Sequence, residues 1–177
     1  MIFNKLKFKE MILYFSNKCV DDPHFGVIKL NKLLFLSDFY SYANTLNSIS
    51  GATYIHLEKG PAPKEMIRVR EEMVPSDINF GEKKVPGGFP VYKTTATRQA
   101  VISVFSPEEV AQMDRAIKEL KRFNAEDASD LTHKWEGWKL TRPYEPIPYD
   151  MVFVRELRPV TDKHIRWAKR RMSKISA

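Results

Sequence analysis

Between Gly26 and about Asn44 the chain reads IKLNKLLFLSDFYSYAN, and its apolar residues do not keep to one face. At helical spacing Val27, Leu30, Leu33, Leu34, Leu36, Phe39, Tyr40 and Ala43 cover most of the circumference. A helix apolar nearly all round is buried between neighbours, because no face of it is suited to water. The segment falls short of the roughly 20 apolar residues that span a bilayer. It therefore predicts a central helix that the rest of the chain must wrap. With 177 residues there is enough chain for one such core and one domain.

The wrapping elements are legible in the flanks. Phe8, Met11, Ile12, Phe15 and Cys19 recur at helical spacing, so residues around 4–19 read as an amphipathic helix that Asp21-Asp22-Pro23 ends. ATYIHLEK (52–59) reads as a short strand stopped by Gly60-Pro61-Ala62-Pro63. Pro63 suits the first turn of a further helix, with Met66, Val69 and Met73 on one face and Pro75 at its end. Pro86-Gly87-Gly88-Phe89-Pro90 is a turn signal, and the strand-like VYKTTAT and AVISVF nearby predict a small antiparallel hairpin. Ser106-Pro107-Glu108-Glu109 is a helix start with a capping box, followed by an apolar stripe from Val110 to Phe123. Asn124 caps a short helix through Ala128 and Leu131. RPYEPIPYD (142–150) reads as an extended linker.

The last segment differs from the rest in charge. Residues 155–177 hold eight basic residues against Glu156 and Asp162, so they carry +6 of a net +7. On a helical wheel over 161–176, Arg166, Arg170 and Lys174 fall within about 60° of Lys163, with Trp167 on the basic side. Ile165, Ala168, Met172 and Ile175 lie opposite. The expected fold class is thus mainly α: a compact domain of about five to six helices with a small β-hairpin or short strands, plus a C-terminal basic amphipathic helix. Residues 1–141 form the domain, and 142–177 form a proline-rich linker and a basic helix packing on or extending from it.

Catalytic chemistry finds no foothold. His24, His56, His133 and His164 are scattered without metal-ligand spacing, and a single cysteine, Cys19, sits on the apolar stripe of the first helix. No nucleophile elbow, Walker A or dinucleotide fingerprint occurs. The expectation is no enzyme, no cofactor and no metal. The N-terminal stretch has neither the uninterrupted apolar run nor the cleavage site of a signal peptide, which reads as a cytoplasmic protein without a membrane partner.

Four stretches in order resemble the Panacea domain of the SocA-like antitoxin family of bacteria and phages. They are KLNKLLFLSDFYSYA (29–43), the Gly-Pro step in Lys59-Gly60-Pro61-Ala62-Pro63, FSPEEVAQMDRAIKEL (105–120), and Leu131-Thr132-His133 followed by Gly137-Trp138. Ala62 stands where a valine commonly follows the Gly-Pro step. The resemblance implies a helical antitoxin of a toxin–antitoxin system that neutralises a cognate protein toxin by direct binding. Its alternatives are an adaptor delivering a toxin to a cellular protease, or a nucleic-acid-binding regulator using the basic C-terminal helix.

Candidate partner-binding residues follow from both sources. Gly60-Pro61 reads either as a binding element or as a turn that starts a helix. His133 and Trp138 read as a recognition surface or as the closure of a core, and Trp135 or Trp138 would offer large contact area. Lys163, Arg166, Arg170 and Lys174 would meet an acidic surface or phosphates, with Trp167 able to stack, or would form a solvated face. Lys32 and Asp38 interrupt the central helix, either pairing with buried partners or facing water.

Overall fold

The computed structural model describes residues 1–83, 91–154 and Arg166. Among these the chain is mainly α, with six α-helices and two small antiparallel strand pairs. The central helix, α2 (Val27–Thr45), is buried without a break from Lys32 to Ser41. Around it lie α1 (Lys5–Lys18), α4 (Pro107–Leu120) and α5 (Ala125–His133). The all-round apolar pattern is thus answered by contacts on all sides. Phe35 and Phe39 meet ring to ring at 4.3 Å inside this layer, and Tyr54 and Trp135 each touch both.

Local signals set the helix starts. The Asn4 side chain accepts from Lys7 N at 3.0 Å and caps α1. Phe8, Met11, Ile12 and Phe15 then face the core, and Cys19 is buried beside them. Ser106 and Glu109 close the capping box of α4, which buries Met113, Ala116 and Leu120. Asn124 accepts from Glu126 N and Asp127 N, and the Asp127 carboxylate returns the bond to Asn124 N, so α5 carries a capping box of its own.

The strands are shorter than the sequence reading and one is elsewhere. Only Tyr54–Ile55 (β1) of the 52–59 stretch is a strand, and it pairs with Ala62–Pro63 (β2). Pro63 therefore ends a strand instead of opening a helix, and α3 (Met66–Met73) starts three residues later. The second pair joins β3 (Ile78–Lys83) to β4 (Val91–Ala96), from Ile78↔Ala96 to Lys83↔Val91. VYKTTAT thus pairs with the segment before it, and AVISVF is no strand: it holds a 3₁₀ turn at Ile102–Val104. The turn signal 86–90 lies outside the described residues.

The proline-rich stretch after α6 (Glu136–Lys139) is only partly extended: 142–145 is a turn with Tyr144 at φ +68°, Pro146 bridges Ile55 of β1, and Tyr149–Phe153 is a 3₁₀ turn. His56 N donates to Glu145 O, Tyr144 N to His56 O, and Ile147 N to Tyr54 O at 2.7 Å. Tyr149 then stacks on Phe39 at 4.7 Å and donates to Ala52 O. No helix among the described residues is long and apolar enough to cross a membrane.

Candidate functional site

Two charged side chains sit inside the apolar central helix, and each fastens a loop. Asp38, fully buried, accepts from Ser50 N at 2.7 Å, Ser50 Oγ at 2.5 Å and Tyr54 OH at 2.7 Å. Burial still pushes its carboxyl up to about 6, with the Ser50 and Tyr54 bonds working against the rise. Lys32, at 1% exposure, donates from Nζ to Pro61 O at 3.0 Å. Burial lowers that ammonium to about 7.

The Gly60-Pro61 step closes over Lys32. Gly60 has φ +86°, a conformation that L side chains rarely adopt. A Cβ there would lie 2.6 Å from Thr132 Oγ1 and 2.7 Å from Lys32 Nζ. The loop is stitched down from both flanks. Ser129 Oγ on α5 donates to Lys59 O at 3.0 Å, and Trp138 Nε1 on α6 donates to Leu57 O at 3.2 Å.

Trp138 is itself held between two imidazoles. His56 stacks on one side at 4.2 Å and His133 on the other at 4.0 Å, with interplanar angles of 21° and 24°. His56 Nδ1 meets Thr141 Oγ1 at 3.2 Å. His133 Nε2 is buried with no hydrogen-bond partner among the described residues. Burial first, and the Lys32 charge second, lower the His133 imidazole below its ordinary value.

The structure therefore brings together Gly60, Pro61, His133 and Trp138 around Lys32. It does not bring Trp135 to them. That ring turns toward the central helix, 5.2 Å from Phe35, 5.8 Å from Phe39 and 6.0 Å from Tyr40. Of the basic set, Arg166 is helical and exposed, while Lys163, Trp167, Arg170 and Lys174 lie outside the described residues. The sequence reading named His56 only as one of four scattered histidines, and it gave no role to Ser129 or Thr132. Lys32 did carry a signal: a lysine where a helix is apolar on every side needs a partner.

What this arrangement can do chemically follows from its enclosure. Lys32 Nζ is packed beneath the Gly60 backbone, and that burial is what depresses its proton affinity. The cluster works as a clasp between the central helix, the Gly-Pro loop and the α5–α6 corner. Among the described residues no group of three or more His, Cys, Asp or Glu side chains could hold a metal ion. The fold and the clasp together define a mainly helical domain in which the Gly-Pro step is buried against the central helix. The family described as antitoxin SocA-like, Panacea domain, matches residues 30–139, which takes in Lys32, the Gly-Pro step, His133 and Trp138. The match covers more than half of the chain, and the chain belongs to that family. Comparison with individually curated proteins gives no match.

Proposed function

We propose that this protein is the antitoxin of a toxin–antitoxin system and neutralises a cognate protein toxin by binding it directly. The observation that carries the reading is the family match, which takes in the central helix from Leu30 onward together with Lys32, the Gly-Pro step, Ser129, His133 and Trp138. The clasp supports it physically. A binding surface gains affinity when its loops are ordered before the partner arrives, because little entropy is then lost on association. Gly60 and Pro61 are themselves buried, so the clasp made by Lys32, Ser129 and Trp138 orders the exposed Glu58 and Lys59 beside them.

Co-expression with the product of the adjacent gene tests the reading. The neighbour alone should arrest growth, the pair should grow, and the two chains should co-purify. A harmless neighbour with no co-purifying product would sink it. A toxin whose half-life shortens in a protease-dependent way when this chain is present would replace occlusion by delivery to a protease.

The charge of residues 155–177 favours a second reading, a regulator that also binds nucleic acid. Phosphate contacts give an affinity that falls steeply with salt. Full-length protein that binds neither DNA nor RNA at low salt excludes it.

A further inference from the structure

A groove of about 790 Å³ opens where α2 begins. Val27 and Ile28 from the first turn of α2, Phe80 from β3, and Val91 and Tyr92 from β4 line it with apolar surface. Tyr92 is 53% exposed. The hairpin seats tightly on the helix start: a Cβ on Gly26 would lie 2.6 Å from Val91 Cγ1. The groove is thus preformed.

Its rim is basic. Lys59, His24 and Arg70 line it, with Glu126 as the opposing charge. The Arg70 guanidinium lies 3.7 Å over the Phe80 ring, which fixes a cation where rim and floor meet. The start of α2 adds to this field. Gly26 caps it without a side-chain bond, and its first turn holds no acid. Asp22 lies just before it and meets Lys29 of that turn at 2.6 Å, so the positive end is offset from one side only, whereas α5 carries Glu126 and Asp127 within its first turn. Lys59 also immediately precedes the Gly60-Pro61 step, so the clasp fixes one wall of the groove.

We propose that this groove is the docking site for the protein partner, and that it takes a segment carrying one or two carboxylates beside an aromatic or branched aliphatic side chain. The proposal rests on the reading that the chain binds a protein toxin, and it names the surface and the chemistry of the toxin segment. The acid meets Lys59 and Arg70, and the apolar side chain enters between Val27, Val91 and Tyr92. Three of the five apolar lining residues, Val27, Ile28 and Val91, are aliphatic and suit a branched side chain, while the Phe80 ring is already covered by Arg70 and Tyr92.

Random peptides displayed on phage and selected against the full-length protein provide the probe. The enriched peptides should pair Asp or Glu with Phe, Trp, Leu or Ile. Their affinity should fall roughly tenfold or more in Lys59→Glu/Arg70→Glu, fall in Tyr92→Ala, and hold in Lys134→Glu, which is exposed at the opposite end of α5 from the groove. Where the double variant does not melt as the parent does, the exposed Lys59→Glu and Tyr92→Ala carry the test. Peptides without acid, failure to enrich any peptide, or affinities unmoved by charge reversal would overturn the proposal. Neutralisation separates it from the reading beneath it. Undiminished rescue from the adjacent gene's product by Lys59→Glu/Arg70→Glu overturns the groove and leaves the antitoxin reading standing. Failure of the parent to rescue overturns that reading, while the peptide selection still decides the groove.

Discussion

Lys32 shows how one buried charge makes a pH-dependent molecule. Its folded-state value of about 7 lies below the ordinary 10.5, so between those values the unfolded chain binds the extra proton. Stability must then rise as the pH rises from 7 toward 9. The limiting slope is about 1.4 kcal/mol per pH unit, which gives a gain of about 2 kcal/mol over that range. Urea unfolding at pH 7 and pH 9 should show the gain, and Lys32→Met should abolish it. An unchanged gain in the variant would mean that another group is responsible. Gly60 is constrained differently, by space and by backbone. Gly60→Ala places a methyl against Thr132 and Lys32 at a positive φ, where the backbone alone costs about 1–2 kcal/mol. The variant should unfold at lower denaturant by at least that amount; equal midpoints would show that the loop can move aside. At this scale the sequence displayed the lysine and the glycine but not that they touch. Positions 32 and 60 are joined only by the way the 46–61 segment folds back over α2, and no local pattern states that.

At the scale of elements, the signals that proved readable were those whose chemistry is complete within a few residues. Ser106, Pro107 and Glu109 start α4 by themselves, and Asn124 with Asp127 starts α5. AVISVF was misread because its strand-like composition is overruled from a distance. The Glu10 carboxylate on α1 accepts from Val101 N at 2.7 Å, and Asn17 Oδ1 accepts from Ala100 N at 3.0 Å. Those two side chains take the donors that a strand ladder would use, and the chain turns into a 3₁₀ segment. Glu10 also pairs with Arg98 at 2.7 Å, and Arg98 reaches Asp77 at 2.7 Å, so one arginine ties α1 to the base of the hairpin. Glu10 is 2% exposed, and a buried ion that loses its counter-charge costs about 3–5 kcal/mol. Arg98 is partly exposed, which lowers the expectation for Glu10→Gln to about 2 kcal/mol. Hydrogen exchange in this variant should quicken first at 98–104 and in β4. Exchange that quickens uniformly would show that the tie holds the whole domain and not the hairpin.

For the whole molecule, the question is where the folded unit ends. Three prolines between 142 and 150 suggested a linker, and proline does keep this segment out of a regular sheet. Yet a strand edge needs donors only at alternate positions, and Tyr144, Glu145 and Ile147 place theirs or their carbonyls against β1. Pro146 sits at the bridge to Ile55 without needing an N–H. Beyond it the Tyr149 ring covers Phe39, and Tyr42 donates to Asp150, so the central helix loses part of its cover if this segment is removed. Ile147 and Met151 also fill the space above Gly137, where a Cβ would approach both at 2.9 Å. The central helix is apolar toward this side too, which is why a segment of such poor strand composition is recruited there. A chain ending after residue 141 should therefore be less stable than one ending after residue 154. Loss of the buried Ile147 alone predicts about 2 kcal/mol or more by comparison with buried aliphatic deletions, and the half-buried Tyr149 adds to it. Paired thermal melts of the two chains decide the matter. Coincident melts would place the end of the cooperative unit at α6 and leave 142–154 as an appendage that packs without stabilising.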